Sequence, residues 1–226
     1  MLPPEDVRAK WRARLVEGPA FDELEGLALL GDYGVPVIET RPAETLEAAL
    51  EAAELIGFPV AIKTAVPGVQ YKSDVGGVKL GLKDTGEVRS AHGGLAARLG
   101  RQVVVAPMAP PGGELALGLV RDSQFGPLVL VSAGGILVEL LKDRRLEMPP
   151  LDEMRARRLV DGLKSRALLD GARGAPASDV GSVARAVVAL SGLACDLGER
   201  IAALDAYPLI AGPDGCVAVD ALVIPG

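Results

Sequence analysis

The chain has 226 residues, 49% of them hydrophobic, and 24 basic against 30 acidic side chains leave a net charge of -6. That is core material for one large domain or two small ones and excludes general disorder, while the acidic balance disfavours nucleic acid, whose phosphates call for clustered cations. Two cysteines, Cys195 and Cys216, exclude a disulfide framework and CxxC-type metal spacing.

The opening "MLPPEDVRAKWRARLVEG" mixes charges where a signal peptide would be apolar, and no apolar run reaches the roughly 18 residues that span a bilayer. The expectation is a soluble, cytoplasmic protein with no membrane partner. Val7, Trp11 and Leu15, four residues apart among charges, predict a short amphipathic helix over 4–17, an extension set before the main domain. A second helix over 21–32, carrying Leu24, Leu27, Ala28 and Leu30, stops at Gly34, and "VPVIET" reads as a strand. "AETLEAALEAAELIG" closes on Gly57, the usual C-terminal signal, and "FPVAIKTA" follows as a strand.

Val78, Leu80 and Leu82 alternate with Lys79, Gly81 and Lys83 at the period of a half-buried strand, before a helix over "DTGEVRSAHGGLAARLG". "RQVVVAPMA" and "GELALGLVRD" are strands joined by the "PPGG" turn, and "GPLVLVSAGG" and "ILVELLKD" add two more. Helices are expected over 152–163, started by Asp152, and 179–197, started by Ser178 or Asp179. "AALDAYPLIAG" and "GCVAVDALVI" read as a hairpin around Pro213, Asp214 and Gly215. The coarse boundary falls near Thr64, with a small α/β lobe before it and a larger β-rich lobe after it.

Several side chains carry chemistry in this frame. Lys63 ends an apolar strand, where a lone ammonium is costly to bury: it either meets a phosphate or snorkels to water from an edge. "YKSDVGGV" offers Lys72, the Ser73 hydroxyl and the amides of Gly76 and Gly77, a set that can wrap anionic oxygens or merely form a glycine turn. Glu114, Glu139 and Asp220 are carboxylates isolated in apolar strands, each a candidate for a hard cation or for solvent. His92 has no carboxylate or second histidine beside it and reads as a solvent-facing helix residue, and both cysteines read as packing residues.

The order of "GLALLGDYGVPVIET", "AAELIGFPVAIKT", "KSDVGGVKLGL", "GGELALGLVRDSQFGPLVLVSAGG", "LLDGARG" and "LDAYPL" resembles the ATP-grasp domain of the nucleoside-diphosphate-forming acyl-CoA synthetases, over about residues 21–226. "KSDVGGV" with "RDSQFGP" makes the resemblance specific to that branch. It implies an α/β (α+β) ATP-grasp fold, two lobes with a nucleotide cleft between them: residues 1–20 a helical extension, a small lobe of about 21–64 with contributions from 65–105, and a larger lobe of about 106–226. It implies Mg2+ with ATP or ADP as ligands and phosphate exchange with a histidine on a CoA-binding α-type partner, in a homo- or hetero-oligomer.

Carried over by position, Lys63 and Lys72 with Gly76 and Gly77 would lie at the phosphates, and Val105 to Met108 at the adenine. Glu114 would fix the nucleoside, and Glu139 and Asp220 would face metal and triphosphate. The family usually has His where Tyr71 stands here, and a phenol with a pKa of about 10 is a poor nucleophile. In the phrase usually written E-x-D-x-N-P-L, Ala203 and Tyr207 replace a carboxylate and a metal-binding amide; Glu147 stands where Arg is common and Ala106 where Gln is. Two functions follow: a β-type subunit that transfers phosphate directly with its α-type partner, or a non-catalytic subunit that keeps the fold for assembly or regulation. The acyl group is not legible, since its pocket belongs largely to the α side.

Overall fold

The structure is a computed structural model that describes residues 2–16, 18–66, 68–69, 72–135, 142–171 and 176–226. Two compact units emerge, one of Met1–Val37 with Pro110–Gly226 and one of Ile38–Ala109.

In the smaller unit, strands β1 (Arg41–Ala43), β2 (Val60–Thr64), β3 (Val78–Leu82) and β4 (Val103–Pro107) form an antiparallel sheet in the order β1-β4-β2-β3. Helices α3 (Leu46–Ile56) and α4 (Thr85–Arg98) are capped by Thr45 and Asp84, whose side chains accept from Ala48 and Glu87 amides. Ala49 and Ala53 of α3 and Val88 and Leu95 of α4 pack on Val60, Ile62, Val103 and Val105. Alternation sends Ala61, Lys63, Val104 and Ala106 to the opposite face. "VPVIET" is not a strand: Val37 makes only an isolated bridge to Ala218, and the strand begins at Arg41 instead.

His92 is only 5% exposed, contrary to the expectation of a solvent-facing residue. Val88, Ala91, His92 and Leu95 are the buried residues of α4, the i, i+3, i+4, i+7 stripe of a helix face. The spacing that carries this was readable; the polarity of imidazole hid it. Among the described residues the His92 Nε2 has no hydrogen-bond partner.

The larger unit is built on a six-stranded antiparallel sheet ordered β10-β8-β5-β6-β7, with β9 also paired to β8. Its strands are β5 (Gly113–Asp122), β6 (Gly126–Ala133), β7 (Arg144–Glu147), β8 (Ile201–Gly212), β9 (Gly215–Ala218) and β10 (Ala221–Pro225). The expected second hairpin strand is broken, because the chain leaves the ladder at Val219 and Asp220 between β9 and β10. The stretch 136–141, read as a strand, lies outside the described residues; β7 was not foreseen.

Leu115, Leu117 and Leu119 of β5, Val129 and Val131 of β6 and Leu204 and Leu209 of β8 form one core with helices α5 (Glu153–Asp161) and α6 (Val180–Leu197). Val180–Arg200 is long and apolar enough to cross a membrane, but 61% of its apolar window is buried inside the protein, as in a core helix. Asp143, 2% exposed, accepts from the amides of Lys164 at 2.8 Å and Ser165 at 2.7 Å, starting the short helix Lys164–Asp170. Burial works to raise its carboxyl, yet the bonds from Ser165 and Lys164 prevail and hold it below the usual range.

Helices α1 (Glu5–Val16) and α2 (Glu23–Asp32) join this larger core. Trp11 stacks on Phe21 with ring centroids 5.9 Å apart, and its indole donates to Asp32 at 2.8 Å. The Asp196 carboxylate of α6 accepts from Arg8 at 2.8 Å and from the Tyr33 hydroxyl at 2.6 Å, and Arg12 completes the set. With that side chain only 3% exposed, the first helix is bound into the unit rather than appended to it. Arg8 first, then Tyr33 and Arg12, outweigh burial and hold Asp196 well below the usual carboxylate range.

Two outcomes follow for stability. A carboxyl depressed in the folded state stabilises fully above its unfolded value of about 3.9 and ceases to do so as pH falls through the folded value. Docking of α1 should therefore be intact above about pH 5 and weaken progressively below about pH 4, and Asp196→Asn should lower Tm at neutral pH by roughly 3–8 °C while flattening that acid limb. Circular dichroism melts across pH check both. In the smaller unit, a Cβ on Gly77 would meet Thr64 Cγ2 at 2.7 Å and the Lys72 carbonyl oxygen at 2.9 Å. Gly77→Ala should cost about 1–3 kcal/mol in urea unfolding, whereas Gly93→Ala, with open space around it, should not destabilise.

Candidate functional site

The candidate residues fall into two groups, one in each unit. In the smaller unit Lys63 lies on β2, an inner strand bracketed by β3 and β4, in register with Val78 and Val104. It is 4% exposed, so the alternative of an edge lysine snorkelling to water is overturned: neither the strand nor the side chain is at an edge. An ammonium kept in an inner strand requires anionic or hydrogen-bonding company.

Just beyond Lys63, the amide of Thr64 donates to the Gly77 carbonyl at 2.8 Å, pinning the glycine turn to the end of β2. Within that turn the Gly76 amide donates to Ser73 O at 3.0 Å and the Gly77 amide to Lys72 O at 2.7 Å. Gly76 has φ +63, the left-handed region that favours glycine. Arg98 reaches across from the end of α4 to donate to the Val75 carbonyl at 2.7 Å. Both glycine amides are thus engaged in shaping the turn, and any anion would share them. Tyr71, just before it, lies outside the described residues.

On β4 of the same sheet, Val105 is fully buried on the helix-covered face, its backbone in register with Arg41 and Ile62. Met108 follows β4, donates its amide to Pro59 O at 3.4 Å and accepts from the Gly81 amide on sulfur at 3.2 Å. Ala106 shares the face of Lys63 and is 1% exposed, so a small residue fits a crowded position there.

In the larger unit Glu114 and Asp205 lie on the sheet face turned away from α6. Leu115, Leu117 and Leu119 point into the core, leaving Glu114, Ala116 and Gly118 on the other side. The amide of Gly134, where β6 ends, donates to Glu114 O at 2.8 Å, and a Cβ there would strike the Glu114 backbone at 2.7 Å. Gly135 follows at φ +78, and a Cβ on it would lie 3.5 Å from Glu114 Oε2. The paired-glycine turn therefore rests directly on Glu114. Glu139 lies outside the described residues.

Pairing of β5 with β8 shifts register between Leu115 and Leu117, so that Tyr207 and Pro208 together oppose Ala116. This bulge turns the Tyr207 hydroxyl onto the Gly135 amide, 3.2 Å away. The Tyr207 amide donates to Asp220 O at 3.2 Å, and the Asp220 carboxylate accepts from the Ala221 amide at 2.8 Å. Glu114 and Tyr207, far apart in sequence, thus meet at Gly135, and Asp220 is joined to Tyr207 through its main-chain oxygen. Asp205, opposite Gly118, belongs to the same face; a Cβ on Gly118 would come 3.0 Å from its Oδ1, and partial burial pushes its carboxyl up.

Glu147 is held in a local ion pair. Its carboxylate accepts from Arg155 at 2.9 Å, and Arg155 also donates to Pro150 O at 2.7 Å, so its charge is neutralised locally. Cys216 is buried in the core, as expected, whereas Cys195 is exposed on α6 and is no packing residue.

A model of the ATP-grasp domain family matches residues 14–224. The chain is 35% identical over 230 residues to the beta subunit of acetate–CoA ligase (ADP-forming) II of Pyrococcus furiosus, covering 97% of this chain and 95% of that one. It is 35% identical over 210 residues to the beta subunit of form I from the same organism, covering 89% and 90%. Acetyl-coenzyme A synthetase 1 of Ca. Korarchaeum cryptofilum, solved with coenzyme A, Ca-AMPCP and HgCl+, has a TM-score of 0.87 at 35% identity, over 96% of this chain and 98% of that one. A second structure of that enzyme, with coenzyme A and Mg-AMPPCP and with its phosphohistidine segment pointing towards the nucleotide binding site, has a TM-score of 0.83 at 37% identity, over 97% and 100%. With the likeness running through nearly the whole of both partners, this chain belongs to the ATP-grasp family, among the β subunits of the ADP-forming acyl-CoA synthetases.

Proposed function

We propose that this chain binds Mg-ATP or Mg-ADP and exchanges phosphate with a histidine of a CoA-binding α-type subunit, as the nucleotide-handling half of a cytoplasmic acid–CoA ligase. The observation that carries the reading is Lys63, 4% exposed on an inner strand of a chain whose relatives are β subunits. A buried ammonium is suited to neutralise phosphate oxygens, since phosphoryl transfer is governed by positioning and charge compensation. In the forward step the bond from the γ-phosphorus to the β–γ bridging oxygen breaks as one forms to the imidazole nitrogen, leaving ADP; the reverse step regenerates ATP. The rival reading, a non-catalytic subunit, is not favoured by relatives that are ligase β subunits matched over 95% and 90% of their length.

Among the described residues no three His, Cys, Asp or Glu side chains gather into a metal cluster. That fits Mg2+, which keeps several waters and is held by one or two carboxylates together with substrate phosphates. Asp220 and Glu139 would supply those carboxylates, and the ion would neutralise charge developing on the triphosphate. Lys72 and the turn at Gly76 and Gly77 would flank the phosphates, Val105 to Met108 the base and Glu114 the nucleoside. Phosphate would pass directly to the partner's imidazole, with no covalent stage on Tyr71.

Titration of the purified chain with Mg-ATP should raise its stability by about 2.7 kcal/mol at 100 times Kd. Lys63→Met, which keeps the stem but removes the charge, should weaken binding by roughly 10- to 100-fold in calorimetry. Absence of any thermal shift at millimolar nucleotide would overturn the proposal. With an α-type subunit and γ-labelled ATP, acid-labile label should appear on that subunit, and Tyr71→Phe should leave the labelling rate unchanged. The chain alone should form no acyl-CoA.

A further inference from the structure

Tyr207 stands where the family commonly has a metal-binding amide, and its phenol has taken up a different partner. In the bulge of β8 the hydroxyl accepts from the Gly135 amide at 3.2 Å, while the Tyr207 main-chain amide is spent on Asp220 O at 3.2 Å. Gly134 is locked beneath this contact by its bond to Glu114 O and by the absence of room for a Cβ. Gly135, at φ +78, carries its amide past Glu114 and directs it at the phenol. A glycine amide in such a turn is a natural donor to an anionic oxygen.

We infer that the Tyr207 hydroxyl occupies the Gly135 amide as an internal surrogate for an anionic ligand oxygen, so that an anion binding at the paired-glycine turn must first displace the phenol. The displacement runs downhill, because a hydrogen bond to a charged phosphate oxygen is stronger than one to a neutral phenol oxygen. Tyr207 is 41% exposed, so its ring can swing into solvent without opening a cavity. It acts as a positioning residue, since it holds the turn by a side chain from a different strand. The nucleotide part of this inference rests on the function proposed above; the tether itself does not.

Tyr207→Phe removes the acceptor and keeps the ring, and two measurements on the full chain separate the parts. Amide exchange at Gly135, followed by NMR without ligand, should quicken roughly 3- to 10-fold in the variant, the worth of one neutral hydrogen bond. Calorimetry with Mg-ATP should give a Kd tighter by a similar factor, because the competitor is gone. Unchanged exchange at Gly135 would overturn the tether, and unchanged or weaker Mg-ATP binding would overturn the competition. If neither protein binds Mg-ATP, the proposed function and the competition fall together, and the exchange rates alone decide the tether. A merely structural tyrosine would lower Tm in the variant without tightening the ligand.

Discussion

The larger unit depends on one contact layer: helix α6 laid along the apolar face of an antiparallel sheet. Val183, Val187, Leu190 and Leu193 of that helix are fully buried against Leu117 of β5, Val129 and Val131 of β6 and Leu204 of β8. Burial of this apolar surface is the dominant favourable contribution to folding. The last turn of α6 supplies Asp196, and through it Arg8, Arg12 and Tyr33 draw the first two helices onto the same core. Apolar contact thus sets the layer, and a buried carboxylate sets which surface helices attach to it.

Because a strand alternates its side chains, the layer that stabilises the unit also determines where its chemistry lies. Each leucine of β5 turned towards α6 leaves its neighbour on the other face, and that face carries Glu114, Asp205 and Tyr207. The same division recurs in the smaller unit, where Val60 and Ile62 pack under the helices while Ala61 and Lys63 face away. Stability and chemistry share strands without sharing side chains. A substitution on the core face should alter folding, and one on the opposite face binding.

The departures from the family's usual residues look different once their neighbours are known. Glu147 brings no uncompensated charge, because Arg155 holds it. Tyr207 is a loss of a metal ligand only in the sequence; in the structure it is also a gain of a bond to Gly135. Two of these changes thus resolve into a local ion pair at Glu147 and a turn contact at Tyr207.

Local signals were legible without coordinates. Caps at Asp152 and Asp179, the alternation over 78–83 and the order of glycine-rich motifs marked several elements and the ATP-grasp family, because capping, period and turn chemistry act over a few residues. Long-range partners were not legible. That β2 is an inner strand, that the first two helices join the larger unit, that His92 is buried and that Tyr207 meets Gly135, 72 positions away, depend on which segments become neighbours. Residue types and spacings determined which chemistry the chain carries, whereas only tertiary packing decided which carboxylates, glycines and cations stand together, since hydrogen bonds and burial are set by proximity in space.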